Sequence, residues 1–233
     1  MDRIRQFIQE EKSKLSRMTF SSAIEYILTY YWIPILAAVF AVSFGIYLYV
    51  KITTNIPDNW LMVSFTNTRA VVDNDSKLWK EFTEYTGYDL TQKKVVFDSS
   101  SYFDYTKNQA KGNAYYNAFI ALTDAGELDA ITMEPVSLAA LGQSGRLMDL
   151  NDERCQDLIK NYSDRLIYYD PASAQDPMSS QDDDLTPIPV GIDLSDSILI
   201  TEYHIYADGC AIGIGAQSEN ISQIEDFIEF VLK

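Results

Sequence analysis

The longest hydrophobic stretch of the chain lies near its start. Residues 26–50, between Glu25 and Lys51, contain no charged side chain over 25 positions. About 20 apolar residues are enough for a helix to cross the hydrocarbon core of a bilayer. Tyrosine and tryptophan side chains gather near its ends, as they do in the interfacial belts of membrane spans. The pattern therefore predicts one transmembrane helix over residues 26–50.

The charges beside this stretch predict its direction. Lys51 is the only basic residue between the stretch and Arg69, whereas five basic residues precede it: Arg3, Arg5, Lys12, Lys14 and Arg17. Basic residues favour the cytoplasmic side of a membrane. We therefore expect residues 1–25 to form a cytoplasmic amphipathic segment at the cell membrane, and the C-terminal part to be extracytoplasmic.

A cleaved signal peptide is the alternative interpretation of the same stretch. Its best cleavage motif, Ser43-Phe44-Gly45, would leave a strongly hydrophobic new N-terminus, and the stretch is longer than the apolar region of a signal peptide. No cysteine lies in it or just after it, which argues against a lipoprotein anchor. These observations favour an uncleaved anchor, followed by a linker over residues 51–59 and a domain over residues 60–233.

Short apolar runs alternate with amphipathic segments in this domain. Early runs predict strands, at residues 61–65, 95–97 and 128–133, and later ones predict extended segments, at residues 187–192, 198–203 and 210–214. The last helix is predicted to begin with a capping box of Ser222 and Glu225. Strands that alternate with helices predict an α/β fold with a mostly parallel sheet covered on both faces.

The charge of the domain excludes several functions. Residues 52–233 carry 12 of the 18 basic and 30 of the 34 acidic side chains, a net charge of −18. Nucleic acid is excluded as a partner, because its phosphates require neutralisation by Lys and Arg. His204 is the only histidine, so we expect no metal, no cofactor and no catalytic triad. Residues 182–184 are three aspartates without the spacing of an EF-hand loop, and we expect them to be solvated.

The two cysteines, Cys155 and Cys210, both lie in the part expected outside the cell. Buried free thiols are the expected state. A disulfide between them stays open as an alternative, because oxidation is permitted in that compartment.

The order of motifs resembles the first lobe of type 2 extracellular (periplasmic) solute-binding proteins, the receptors of ABC importers. Three motifs carry the resemblance: a helix with a small-residue turn before a strand, a Leu/Ala-rich helix leading to LxDL, and a late strand before an amphipathic helix. They lie at residues 126–131, 138–150 and 211–232. The family's second lobe has no counterpart, because residues 167–189 form only a short polar stretch. The apolar stretch resembles the spans of uncharacterised membrane-tethered proteins of Gram-positive bacteria.

The resemblance implies recognition by a single lobe. Because ligands of such sheets gather at the carboxyl ends of the strands, six residues are candidates for ligand binding: Asn67, Thr68, Arg69, Ser99, Ser100 and Glu134. Ordinary loop polarity is the alternative explanation of these residues. We expect a single-pass membrane-anchored protein, not an enzyme, that binds a small solute or an envelope protein as an accessory to an ABC transporter. The alternatives are a scaffold protein of the cell envelope and, more distantly, an extracytoplasmic hydrolase.

Overall fold

The computed structural model describes residues 2–53, 59–106, 112–171 and 186–233. The chain divides into two compact units, residues 1–56 and residues 57–233. All strands of the described residues and the buried core belong to the second unit.

The first unit consists of helix α1, Asp2–Ser16, and helix α2, Phe20–Thr53. The carboxylate of Glu11 in α1 accepts hydrogen bonds from the hydroxyls of Tyr26, at 3.0 Å, and Tyr31, at 2.8 Å, in α2. Residues 20–50 of α2 are long and apolar enough to cross a membrane, by length and composition. α2 is thus a candidate membrane span that contains the predicted one, and its direction in a membrane stays a prediction.

The second unit contains a mixed sheet with six strands in the described residues: β1 Asn59–Phe65, β2 Lys94–Asp98, β3 Ala130–Met133, β4 Leu166–Tyr169, β5 Ile188–Asp193 and β6 Ala211–Ile214. Their order is β2-β1-β3-β6-β5-β4. β1 pairs in parallel with β2 and β3, whereas the β3–β6, β6–β5 and β5–β4 pairs are antiparallel. The α/β class is confirmed and the mostly parallel sheet is wrong, because β6 returns between β3 and β5.

Six α-helices accompany the described strands: α3 Lys77–Thr86, α4 Ala114–Asp124, α5 Pro135–Leu141, α6 Gln156–Asn161, α7 Ile198–Thr201 and α8 Ile221–Val231. Two core clusters result. One packs α3 and α8 with Leu61, Val63 and Phe65 of β1, and the other packs α4 and α5 with the intervening Met62. Because successive side chains of a strand point to opposite faces, both faces of the sheet are covered.

Three local predictions were wrong. Residues 198–203 are not a strand: they begin with the short helix α7, in which the carbonyl of Ser197 accepts hydrogen bonds from the amides of Ile200 and Thr201. β4, Leu166–Tyr169, overlaps the start of residues 167–189, which were interpreted as only a short polar stretch. The capping box is absent, because α8 begins after Asn220 and the hydroxyl of Ser222 contacts Gln223 instead. Residues 182–184 lie outside the described residues.

A buried carboxylate joins β3 to its surroundings. Asp129 is 1% exposed and accepts hydrogen bonds from the amide of Met62 at 2.8 Å, the hydroxyl of Ser218 at 2.7 Å and the side chain of Asn220 at 3.1 Å. Burial, which disfavours the charged form, raises its pKa above the ordinary value. Close by, a Cβ on Gly215 would lie 2.2 Å from the carbonyl oxygen of Leu128, so the backbones touch there.

Both cysteines are free thiols, and both are buried in the cluster that packs against α3 and α8. Burial raises the pKa of Cys155 to about 11 and the pKa of Cys210 further still. Two buried thiols, in place of a disulfide, stabilise this core by packing.

Candidate functional site

A cavity of about 840 Å³ opens where β1 and β3 end. Residues 67–70 after β1, Glu134 after β3, and residues 204–208 after α7 line it, together with Tyr102 and Ile200. Its volume lies within the range of roughly 300–1,000 Å³ that small-molecule sites occupy. The carboxyl ends of two neighbouring parallel strands thus meet at one concave surface, as the general rule for such sheets predicts.

Asn67 holds the first loop of the cavity in place. Its side-chain oxygen accepts a hydrogen bond from the amide of Phe103 at 2.9 Å, and its side-chain nitrogen donates one to the carbonyl of Phe103 at 2.8 Å. Its backbone is left-handed, with φ at 63°, which asparagine tolerates better than most residues. Both polar atoms of the Asn67 side chain, a predicted ligand-binding residue, are therefore bonded to the neighbouring loop.

Thr68 joins the two main walls of the cavity. Its hydroxyl donates to the carbonyl of Ile205, in the loop after α7, and accepts from the amide of Ala70 at 3.0 Å. The loop after β1 and the loop after α7 are therefore bound to each other through one side chain.

The loop after α7 is shaped by His204 and Tyr206. The Nδ1 of His204 lies 2.9 Å from the carbonyl oxygen of Ile200, and because a carbonyl can only accept, Nδ1 donates this hydrogen bond. The buried hydroxyl of Tyr206 donates to the carbonyl of Thr132 at 2.8 Å, and burial raises the pKa of Tyr206 well above its ordinary value.

Backbone strain is concentrated at this cavity. His204, with φ at 50°, and Asn67 are the only residues other than glycine with positive φ in the described ranges. Both line the cavity. Such conformations persist only where the surrounding structure imposes them, and they cluster at functional sites.

Three charged side chains at the cavity have no partner among the described residues. Arg69, Glu134 and Asp208 are exposed, and none forms a salt bridge or side-chain hydrogen bond there. By contrast, other arginines of the domain are paired, for example Arg165 with Asp196 at 2.5 Å. The rim of the cavity therefore presents one guanidinium and two carboxylates without a partner among the described residues.

The structure brings four of the six predicted residues to the cavity, namely Asn67, Thr68, Arg69 and Glu134. The other two support the loop after β2 instead. The hydroxyl of Ser99 accepts from the amide of Val72 at 2.9 Å, and the hydroxyl of Ser100 donates to Asp98 at 3.0 Å. A ligand-binding role for any of them stays a prediction.

Sequence reasoning missed Tyr102, Ile200 and residues 204–208. Residues 198–203 were interpreted as a strand, so the turn that carries His204 back towards β1 had no place in the predicted sheet. The presence of the single histidine beside Asp208 was the one signal available, and no spacing rule assigns a lone histidine to a site.

A second cavity, of about 370 Å³, lies beside α5 and β4. Aromatic and small side chains line much of it, including Tyr105, Tyr168 and Ala139, and Asp170 is the one carboxylate in that described lining. Because the larger cavity combines strand ends, strained backbone and three unpaired charges, it is the candidate functional site.

Comparison with known proteins adds no relative: no family model, no curated protein and no solved structure matches this chain. The resemblance to a solute-binding lobe therefore stays a prediction, and the function has to be argued from the cavity itself.

Proposed function

We propose that this chain is a single-pass membrane-anchored receptor whose extracytoplasmic domain binds a small solute in the cavity at the ends of β1 and β3. The carrying observation is the convergence of Arg69, Glu134 and Asp208, all exposed and unpaired, on one concave surface. Ligand sites combine a cavity of this size with a few polar groups that fix the orientation of the ligand.

The rigid wall behind these charges supports the same function. Asn67 and Thr68 use their side chains to brace the loops, so Arg69, the next residue along the chain, is held at the rim by fixed backbone. A pre-organised site loses less conformational entropy when a ligand binds. The bracing residues therefore raise affinity without touching the solute.

Membrane anchoring by α2, a cytoplasmic N-terminus and an accessory role beside an ABC transporter belong to the proposal too. The first is supported by the length and composition of residues 20–50. The second is supported by the five basic residues before that stretch. The transporter follows from the family resemblance alone.

Thermal unfolding of the full chain in lipid nanodiscs, with a panel of sugars, amino acids, amines and short peptides, tests the receptor function. A solute at a hundredfold excess over its Kd stabilises the folded domain by about 2.7 kcal/mol. For a domain of this size the melting temperature rises by roughly 5–10 °C. We expect at least one class of compound to produce such a shift.

Four variants locate the effect. Arg69→Gln and Glu134→Gln should abolish the shift, because each removes one unpaired charge from the cavity. Lys80→Gln and Glu84→Gln are the matched controls. Each removes one charge, positive or negative, from the exposed face of α3, and both variants should retain the shift. A cooperative transition that no compound moves would refute solute binding and favour the scaffold interpretation.

A further inference from the structure

Among the described residues, the unpaired charges of the candidate site are unequal in number. Arg69 supplies one cation, whereas Glu134 and Asp208 supply two carboxylates. A charged group that loses water without gaining a partner costs free energy. A solute that pairs all three groups must therefore carry one anionic and two cationic groups.

An aromatic group of the cavity favours cations as well. The Tyr102 side chain, 65% exposed, offers an aromatic face, and such faces attract ammonium and guanidinium groups within about 6 Å. Arg69 is the only lysine or arginine in the described lining of the cavity.

The charge of the whole domain acts in the same direction. Residues 52–233 carry a net charge of −18, and a field of one sign raises the local concentration and the association rate of oppositely charged solutes. An anionic solute would be repelled by this field and by both carboxylates. A neutral sugar would leave all three charges of the cavity without an ionic partner.

The volume of the cavity, about 840 Å³, is that of a site for a small molecule. A free amino acid and a short peptide both fit within such a space.

From these observations, and resting on the proposed function, we infer that the solute is a basic amino acid, either free or as part of a short peptide. Its carboxylate binds Arg69, and its two cationic groups bind Glu134 and Asp208.

Calorimetric titration of the full chain in phosphatidylcholine nanodiscs tests this with L-lysine and two analogues. Norleucine lacks the side-chain ammonium of lysine, and cadaverine lacks its carboxylate. We expect L-lysine to bind and each analogue to bind at least about tenfold more weakly, since one lost charged contact costs about 1.4 kcal/mol or more. Glycyl-lysine distinguishes the source: tighter binding than lysine assigns a peptide, weaker binding assigns the free amino acid, and both support the inferred chemistry.

Variants assign each contact. Glu134→Gln and Asp208→Asn should each weaken L-lysine about tenfold. Arg69→Gln should weaken L-lysine equally but leave cadaverine unchanged, because cadaverine has no carboxylate to lose. Lys80→Gln and Glu84→Gln serve as controls and should change neither. All three cavity side chains are exposed and unpaired, so the variants should melt like the wild type without ligand.

The outcomes separate the inference from the proposed function. If a sugar or another solute binds in the cavity and L-lysine does not, the inference is overturned and the receptor function stands. If no compound of the wider panel binds, both are overturned. Lysine binding that none of the three substitutions weakens would place it on the general acidic surface and would also overturn the inference.

Discussion

The brace formed by Asn67 yields a graded series of substitutions. Asn67→Ala removes the two hydrogen bonds to the backbone of Phe103, worth about 1 kcal/mol each. It also replaces a residue that tolerates the left-handed backbone with one that does not, which costs a further 1–2 kcal/mol or so. The sum is about 3–4 kcal/mol of unfolding free energy.

Two further substitutions at Asn67 separate these contributions. Asn67→Gly loses both hydrogen bonds but tolerates the left-handed backbone, so we expect a loss of about 2 kcal/mol. Asn67→Asp keeps the bond from the amide of Phe103 but turns a carboxylate oxygen towards the carbonyl of Phe103, so we expect a loss of at least about 1 kcal/mol. Stability should therefore decrease in the order Asn, Gly, Ala, with Asp below Asn.

Urea unfolding of residues 57–233, followed by the fluorescence of Trp60 and Trp79, measures the series, because this unit contains the whole described sheet and both core clusters. At about 2–4 °C per kcal/mol, Asn67→Ala should also lower the melting temperature by about 6–16 °C. Asn151→Ala, at an exposed asparagine whose side chain has no bond among the described residues, should change stability by less than about 0.5 kcal/mol. If Asn67→Gly proves as unstable as Asn67→Ala, the contribution of the left-handed backbone is refuted.

Other parts of the domain give further predictions. Phe82→Ala should lower the free energy of unfolding in urea by about 3–5 kcal/mol. The Phe82 ring is fully buried, and the centroids of four other aromatic rings lie 5.4–6.3 Å from its own. A loss below about 1 kcal/mol would contradict that packing. Gly215→Ala should abolish the cooperative transition and the near-ultraviolet circular dichroism, because the added carbon would overlap a carbonyl oxygen. The pKa of Asp129 is higher in the folded protein than its ordinary value of 3.8. Its contribution to stability is therefore complete below pH 3.8 and decreases as the pH rises through the higher folded pKa. Asp129→Asn should remove this decrease, which urea unfolding at a series of pH values measures. Cys155 and Cys210 should react with Ellman's reagent only after unfolding, since both are buried free thiols, and a rapid reaction of the native protein would contradict their burial.

Two of the strands that sequence analysis predicted correctly share one property. β1 and β3 are apolar runs buried inside the sheet, and both clusters of the core contact them. Periodicity predicts such elements because burial dictates their composition. α7 and β4 were missed for the opposite reason: Leu199 is the only buried residue of α7 and β4 has none, so burial does not dictate their composition. Their conformations depend on contacts with distant segments.

The residues of the candidate site also fall into two groups, those that the sequence predicted and those that it did not. Arg69 and Glu134 could be predicted, because they directly follow buried strands that run side by side. Asp208 and His204 could not, because they reach the cavity through the turn after α7, and nothing local in the sequence indicates that this turn packs against the loop after β1. The antiparallel position of β6 between β3 and β5 could not be predicted either, because strand order depends on contacts between distant segments.

The central position of β6 has a consequence for how the protein is made. β6 is formed by residues 211–214 yet lies between β3 and β5, and the following helix α8 places Phe227 against Phe65 at 6.2 Å between ring centroids. Contacts between segments so far apart in sequence form slowly. The nascent domain therefore has to wait for residues 211–231 before its sheet can close, and until then the edges of β3 and β5 are unpaired. A premature stop at position 211 would delete a strand from the middle of the sheet and leave β2-β1-β3 and β5-β4 as two separate half-sheets.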